Sequence, residues 1–196
     1  AGRKLCENSL FNMISEGALP DKIYLDSLNK LIRDETLDPA FRALTLSLPS
    51  QDEITHNCLE NGVIPDPMAI YNSIEALNLA ISDHLKPEFE EIYEKYTSNE
   101  EYKPDATQSA YRALKNRALS FLAYQDSALL AQIQATSAQN MTDQLSAFAT
   151  VIKHNPNGKH IKLFYDQWKH ERLVVDKWFS TQALTAHPNS LNKVVK

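Results

Sequence analysis

The fold class is decided by residues 138–183, which read AQNMTDQLSAFATVIKHNPNGKHIKLFYDQWKHERLVVDKWFSTQA. Side chains, mostly apolar, recur there at the three- and four-residue spacing of one helical face. They form three successive sets: Leu145, Phe148, Ala149 and Ile152; Ile161, Phe164, Tyr165 and Trp168; Val175, Trp178, Phe179 and Gln182. Short turns separate the sets, so the stretch predicts three consecutive helices, each antiparallel to its neighbour.

The start and end of the first of these helices are marked by polar residues. Asn140 stands where a side chain can accept hydrogen bonds from the unpaired amides of a helix start. Asp143 follows three residues later, where a negative charge favours the positive end of the helix dipole. The run Asn155–Gly158 then predicts the turn into the second helix.

The rest of the chain repeats these helix-start signals. Asp38-Pro39 and Asp66-Pro67 each combine a capping side chain with a proline suited to the first helical turn. Ser50 and Glu53 have the spacing of a capping box. Between Pro39 and Pro49 we expect Phe41, Leu44 and Leu48 to face inward. In total we predict about ten helices and no strand, since no segment alternates with a period of two.

Short helices in antiparallel pairs favour a right-handed α-solenoid of the armadillo or HEAT kind. We expect one such all-α domain over residues 1–196. A closed helical bundle is the competing architecture. A strict repeat would decide between them, and the sequence has none with a fixed period.

The composition of the chain argues against nucleic acid as a partner, against disulfide bonds and against a membrane span. A net charge of −5 disfavours nucleic acid, whose binding needs a basic stripe. The two cysteines, Cys6 and Cys58, are too few for a disulfide framework, so we expect reduced thiols. No apolar run has the length of a membrane span, and residues 1–17 do not resemble a signal peptide. We therefore expect no membrane association and a cytoplasmic location.

No catalytic constellation is recognisable in the sequence. His170-Glu171 begins the His-Glu-x-x-His pattern of zinc peptidases, but the final position is Val174, which cannot bind a metal. The other histidines contain no pair four residues apart. We predict no catalytic, cofactor-binding or metal-binding residue. The polar and aromatic residues of interest are Asn140, Asp143, Asp176, Lys177 and Trp178. Capping, ion pairing and core packing would explain them, and contact with another domain or a peptide is the functional interpretation.

Four segments resemble a known family: LDPAFRALTLSLPSQDEI (37–54), IPDPMAIYNSIEAL (64–77), NMTDQLSAF (140–148) and VVDKWFSTQA (174–183). They are similar to the C-terminal helical domain of bacterial aminopeptidase N, the alanyl aminopeptidases of the zinc-dependent gluzincin class. The resemblance implies a parent enzyme that removes N-terminal residues from peptides with zinc held by an earlier catalytic domain. It implies that this domain caps the catalytic domain and restricts access, and that the chain itself holds neither zinc nor a catalytic residue.

Two functional hypotheses follow. The first is a truncated piece of the larger C-terminal domain of an aminopeptidase, whose partners are the catalytic domain of its parent chain and that enzyme's peptide substrates. The chain begins at Ala1 with no methionine, and a new helix is predicted from Asn189 to Lys196, which favours this hypothesis. The alternative is a stand-alone armadillo- or HEAT-like scaffold for a peptide or protein partner. A truncated solenoid would also expose apolar surface, so we expect self-association.

Overall fold

The computed structural model describes residues 2–97, 100–156 and 158–185, and these form eleven α-helices and no strand. The all-helical prediction is therefore confirmed. In chain order the helices are α1 (Gly2–Glu16), α2 (Lys22–Arg33), α3 (Pro39–Thr45), α4 (Gln51–Glu60), α5 (Pro67–His84), α6 (Lys86–Lys95), α7 (Ala106–Asp126), α8 (Leu129–Ser137), α9 (Met141–His154), α10 (His160–Trp168) and α11 (Arg172–Leu184). The helix expected over 189–196 lies outside the described residues.

Capping side chains set the helix starts where the sequence placed them. The Asp38 carboxylate accepts from the amides of Ala40 and Phe41 at 2.8 and 3.2 Å. Ser50 and Glu53 complete the capping box, since each side chain accepts from the backbone N–H of the other. These bonds satisfy amides that have no partner inside the helix.

Helix α7 is the centre of the packing, in contact with α3, α5, α6, α8 and α9. It is surrounded on most sides, and it buries residues that do not share one face, from Ala110 through Leu114 and Ala118 to Phe121 and Ala123. A helix enclosed in this way belongs to the core and not to the surface. Helix α1 packs on α2 and α4, these three helices pack on α5, and α10 and α11 pack on α9.

Burial falls from the centre towards the last helices. Phe148 of α9 and Phe164 of α10 stack with ring centroids 4.2 Å apart, and Trp178 of α11 packs against this pair. No side chain of α11 is fully buried, and Phe179 is 59% exposed. The third apolar set predicted for this region is thus only half covered within the described residues.

The inward face predicted for α3 is wrong. Phe41 and Leu44 are 48% and 66% exposed, and Arg42, Ala43 and Leu46 are buried instead. The helix ends at Thr45, so its period does not continue to Leu48. The Arg42 guanidinium donates to the carbonyl of Ile32, which turns its long side chain towards α2.

None of the described helices combines the length and the apolar character that a transmembrane span requires.

Candidate functional site

Asn140 and Asp143 meet in a buried polar cluster between α7, α8 and α9. Lys115 of α7 lies with its Nζ 2.6 Å from Asp143 Oδ2, and both side chains are 8% exposed. Asn140 caps α9 by accepting from the Asp143 amide at 2.9 Å, and its own amide group donates to the Asp143 carboxylate at 3.0 Å. The predicted capping roles of these two residues are confirmed.

Three further side chains complete what we call the Asp143 network, which comprises Tyr93, Lys115, Asn116, Gln134, Asn140 and Asp143. Asn116 Nδ2 donates to Asp143 Oδ1 at 2.8 Å, and Gln134 Nε2 donates to Asn116 Oδ1 at 2.8 Å. Tyr93 donates to Gln134 Oε1 at 3.0 Å. Burial, with a smaller contribution from the Asp143 charge, raises the pKa of the Tyr93 hydroxyl.

The chemistry of the Asp143 network is that of a satisfied buried ion pair. Both oxygens of the Asp143 carboxylate already accept hydrogen bonds, so neither is placed to take a proton from a substrate. The network therefore joins α6, α7, α8 and α9. Sequence reasoning missed Lys115 and Asn116. Lys115 and Asn116 stand beside Arg117, and these three adjacent polar residues between Leu114 and Ala118 were the available signal.

The other predicted site residues lie elsewhere, on α11. Asp176 and Lys177 are exposed, and within the described residues neither side chain forms an ion pair. Trp178 is half-buried, and its indole N–H donates to the Ile161 carbonyl at 2.9 Å. The five predicted residues thus occupy two places and do not converge on one site.

A cleft of about 240 Å³ lies where α5, α7 and α9 meet the segment after α3. We call it the α7–α9 cleft. Sequence reasoning did not find it, because its polar residues come from three helices that are distant in the chain. It is lined by Leu46, Leu48, Ile74, Asn78, Arg117, Ser120, Phe121, Tyr124, Thr150, Lys153 and His154.

Arg117 supplies an unpaired positive charge to this cleft. Its Nη2 donates to the Ser47 hydroxyl at 2.9 Å, and among the described residues no carboxylate lies within ion-pairing distance. Burial lowers the pKa of the Arg117 guanidinium, since removal from water disfavours the charged form. An arginine in this state is open to an anionic partner.

Lys153 of α9 also lines the cleft and is already paired. Its Nζ lies 2.9 Å from Glu75 Oε1 and donates to the Tyr124 hydroxyl at 2.5 Å. Tyr124 in turn donates to Glu75 Oε2 at 3.0 Å. Burial, followed by the Glu75 charge, raises the pKa of Tyr124 far above its usual range, so the phenol stays neutral.

His154 adds a neutral imidazole beside this triad. Its ring meets the Tyr124 ring edge-on with centroids 4.7 Å apart, and its buried Nε2 has no hydrogen-bond partner. Burial, assisted by the neighbouring Lys153 charge, lowers the pKa of His154. Lys153 is thus paired with Glu75, whereas Arg117 has no carboxylate partner among the described residues.

A wider groove of about 560 Å³ joins the cleft at Ile74 and Lys153. It extends past Tyr71 and Ala149 to the end of α11 at Leu184. The two cavities are therefore neighbours, and the wide groove carries the charged side chains of Asp52, Glu75 and Lys153 on its own lining.

The described residues contain no group of three or more His, Cys, Asp or Glu side chains able to hold a metal ion. The zinc that the family resemblance implies for the parent enzyme therefore has no ligand set in this part of the chain.

Comparison with curated proteins finds two aminopeptidases N among the relatives. The chain is 37% identical to that of Escherichia coli (strain K12) over 175 residues, which is 86% of this chain and 19% of the relative. It is 29% identical to that of Caulobacter vibrioides over 187 residues, 90% of this chain and 21% of the relative. The chain thus spans about a fifth of the length of these relatives.

Comparison with solved structures supports the fold. The crystal structure of Legionella pneumophila aminopeptidase A in complex with aspartic acid superposes with a TM-score of 0.81 and 22% identity, covering 99% of this chain and 24% of that chain. A family model with armadillo (ARM) repeats matches residues 1–196, which agrees with the predicted solenoid. The chain belongs to the family described as "Domain of unknown function (DUF3458_C) ARM repeats".

Proposed function

We propose that this chain is the helical domain of a zinc-dependent aminopeptidase that removes N-terminal residues from peptides in the cytoplasm. In this proposal the domain packs against the catalytic domain of its own polypeptide and restricts which substrates reach the active site. The chain itself is not catalytic, and zinc is held by the catalytic domain. The observation that carries the proposal is the 37% identity to an aminopeptidase N over 175 residues that make up only 19% of that relative.

Exposed apolar side chains support a packing role. Leu19, Ile64, Leu173 and Leu184 are each more than three-quarters exposed. Large apolar side chains in water favour contact with another surface. We assign that surface first to the remainder of the polypeptide. A second copy of the chain is expected to occupy it when the remainder is absent, which would appear as concentration-dependent sedimentation.

Among the predicted interface residues, those on α11 suit this role better than those on α9. Asp176 and Lys177 are exposed and unpaired within the described residues, so they remain free for an interdomain ion pair. Trp178 is half-buried and packs against Phe148 and Phe164, so only part of its ring is available to another domain. Asn140 and Asp143 are enclosed in the Asp143 network, and in this proposal they support the interface only by fixing α9.

The catalytic part of the proposal is tested by comparing the full-length polypeptide with the 196-residue chain. Release of 4-nitroaniline from an alanyl substrate is measured for both, before and after chelation of zinc. We expect chelator-sensitive turnover by the full-length polypeptide and none by the chain. Turnover by the purified chain, or none by the full-length polypeptide, would overturn the proposal.

The restricting role is tested with a variant that narrows the wide groove and leaves the catalytic domain unchanged. Ala149→Trp places a large ring in the wide groove, and Ala113→Trp places it on the exposed face of α7 as a control. In the full-length polypeptide, Ala149→Trp should lower kcat/KM for long peptides and leave the small alanyl substrate unaffected. Equal kcat/KM values for the two variants on long peptides would contradict a restricting role for this groove.

A further inference from the structure

We propose that the α7–α9 cleft binds the C-terminal carboxylate of a peptide through Arg117. The choice of a peptide as ligand rests on the proposed function. The choice of a carboxylate rests on the side chains of the cleft.

The first argument is the state of Arg117. Only one of its hydrogen bonds is used, from Nη2 to the Ser47 hydroxyl at 2.9 Å. The planar guanidinium carries five N–H donors arranged to meet a carboxylate with two parallel bonds. No carboxylate of the described residues lies within ion-pairing distance of Arg117. The remaining donors can therefore bind a carboxylate that comes from outside this part of the chain.

The second argument is the charge balance of the cleft. Lys153 is neutralised by Glu75 at 2.9 Å, and the Tyr124 hydroxyl bridges them. Arg117 has no such carboxylate partner among the described residues, so its charge can pair with a ligand group that carries a negative charge. The volume of the cleft is about 240 Å³, which is enough for the C-terminal residue of a peptide with its carboxylate and side chain.

The third argument is the direction in which the rest of a ligand would lie. The wide groove continues from Ile74 and Lys153 past Tyr71 and Ala149. An extended peptide advances about 3.3 Å per residue, so a few residues would follow this groove once the terminal carboxylate is held. The chain would then leave the groove near Leu184 with its amino end pointing away from Arg117.

The experiment measures binding of pentaalanine to the 196-residue chain by isothermal titration calorimetry. Three ligands separate the sources of a carboxylate: the free acid, the C-terminal amide, and an amide whose last residue is aspartate. We expect the free acid to bind about 10- to 100-fold more tightly than the plain amide, the range for loss of a charge-assisted hydrogen bond. Equal affinity of the free acid and plain amide would overturn the proposal. Binding of the aspartyl amide as tightly as the free acid would overturn the assignment to a chain terminus.

Variants locate the contact. Arg117→Gln should reduce the affinity for the free acid to that for the amide, and Arg117→Lys should retain part of it because the charge remains without the planar fork. Arg172→Gln is the matched control, since Arg172 is exposed on α11 outside both cavities. Loss of affinity in Arg172→Gln equal to that in Arg117→Gln would contradict a site at Arg117.

Two controls separate a loss of binding from a loss of folding and from a loss of enzyme activity. Circular dichroism and thermal unfolding are recorded for each variant, and Arg117→Gln should keep the helical signal of the parent chain. Binding is measured without turnover, so failure of the carboxylate site leaves the aminopeptidase assay unaffected. Conversely, an inactive full-length polypeptide would refute the proposed function. The carboxylate site would then be decided by the calorimetric difference between acid and amide alone.

Discussion

Lys115 Nζ and Asp143 Oδ2 lie 2.6 Å apart in an ion pair that joins the central helix α7 to α9. Both side chains are largely buried, and each makes its contact from the middle or the first turn of a helix. The Asp143 carboxylate also accepts hydrogen bonds from Asn116 and Asn140. An ion pair in this setting is sensitive to loss of one member and much less so to loss of both.

Lys115→Met is therefore expected to lower the free energy of unfolding by about 3–5 kcal/mol, because the Asp143 charge remains buried without its counter-ion. Urea unfolding followed by circular dichroism measures the change. Lys162→Met is the control, since it breaks an exposed pair with Asp166 and should cost less than about 1 kcal/mol. The double variant Lys115→Met with Asp143→Leu should recover most of the loss, and equal losses in the single and double variants would contradict this interpretation.

Phe148→Ala should lower the free energy of unfolding by about 3–5 kcal/mol, because it removes a buried ring stacked on Phe164 and leaves a cavity. Phe179→Ala is the matched variant. Its ring is 59% exposed, and the expected loss is below about 1 kcal/mol. A comparable loss at Phe179 would mean that the α11 face is covered in solution, and sedimentation would then show a second copy.

Asp105→Ala should shorten α7 at its start and lower the free energy of unfolding by about 0.5–2 kcal/mol. The Asp105 carboxylate accepts from the Gln108 amide at 2.7 Å, and alanine offers no acceptor. Asp105→Asn keeps a capping oxygen and should retain most of the stability. If both substitutions destabilise the chain equally, the charge and not the cap is responsible.

His154 should make stability depend on pH. Its pKa lies below the ordinary value of 6.5, because burial and Lys153 oppose the protonated form more than Glu75 and Asp126 favour it. Between the folded and unfolded pKa values the unfolded chain binds more protons, so stability is present above pH 6.5 and is lost as the pH falls below it.

The measurement is urea unfolding from pH 8 to pH 5 for the parent chain and for His154→Phe, which keeps an aromatic ring against Tyr124. The variant should lose less stability between pH 7 and pH 5. His160, whose pKa burial also lowers, is unchanged in both proteins and accounts for part of the slope that remains. Parallel pH profiles for the two proteins would contradict the role given to His154.

Local chemistry made the helix starts predictable from sequence. Asp38, Ser50, Asp66 and Asn140 act through bonds to amides within three residues, so their neighbours in the chain contain the necessary information. The exposed face of α3 could not be predicted in the same way. It depends on where Arg42 finds a carbonyl, and that carbonyl belongs to Ile32 on another helix.

For the polar sites too, local contacts could be predicted from sequence and contacts between distant residues could not. Asn140 and Asp143 were recognisable as a cap, but the enclosure of Asp143 depends on Lys115, 28 residues earlier in the chain. The α7–α9 cleft brings Asn78, Arg117 and Lys153 together from three helices. No spacing rule connects residues so distant, so only the folded arrangement reveals the unpaired guanidinium.

The gradual loss of burial from α7 to α11 implies an order of opening. In a solenoid each helix pair is held mainly by its neighbours, so a less buried pair can detach while the rest persists. Trp178 and its contacts to Ile161 and Tyr165 would be released first, and the amides of α7 would exchange with solvent last. The far end of the wide groove at Leu184 is therefore built on the part of the described chain that opens most easily, whereas the charged end at Arg117 stands on the most persistent helix.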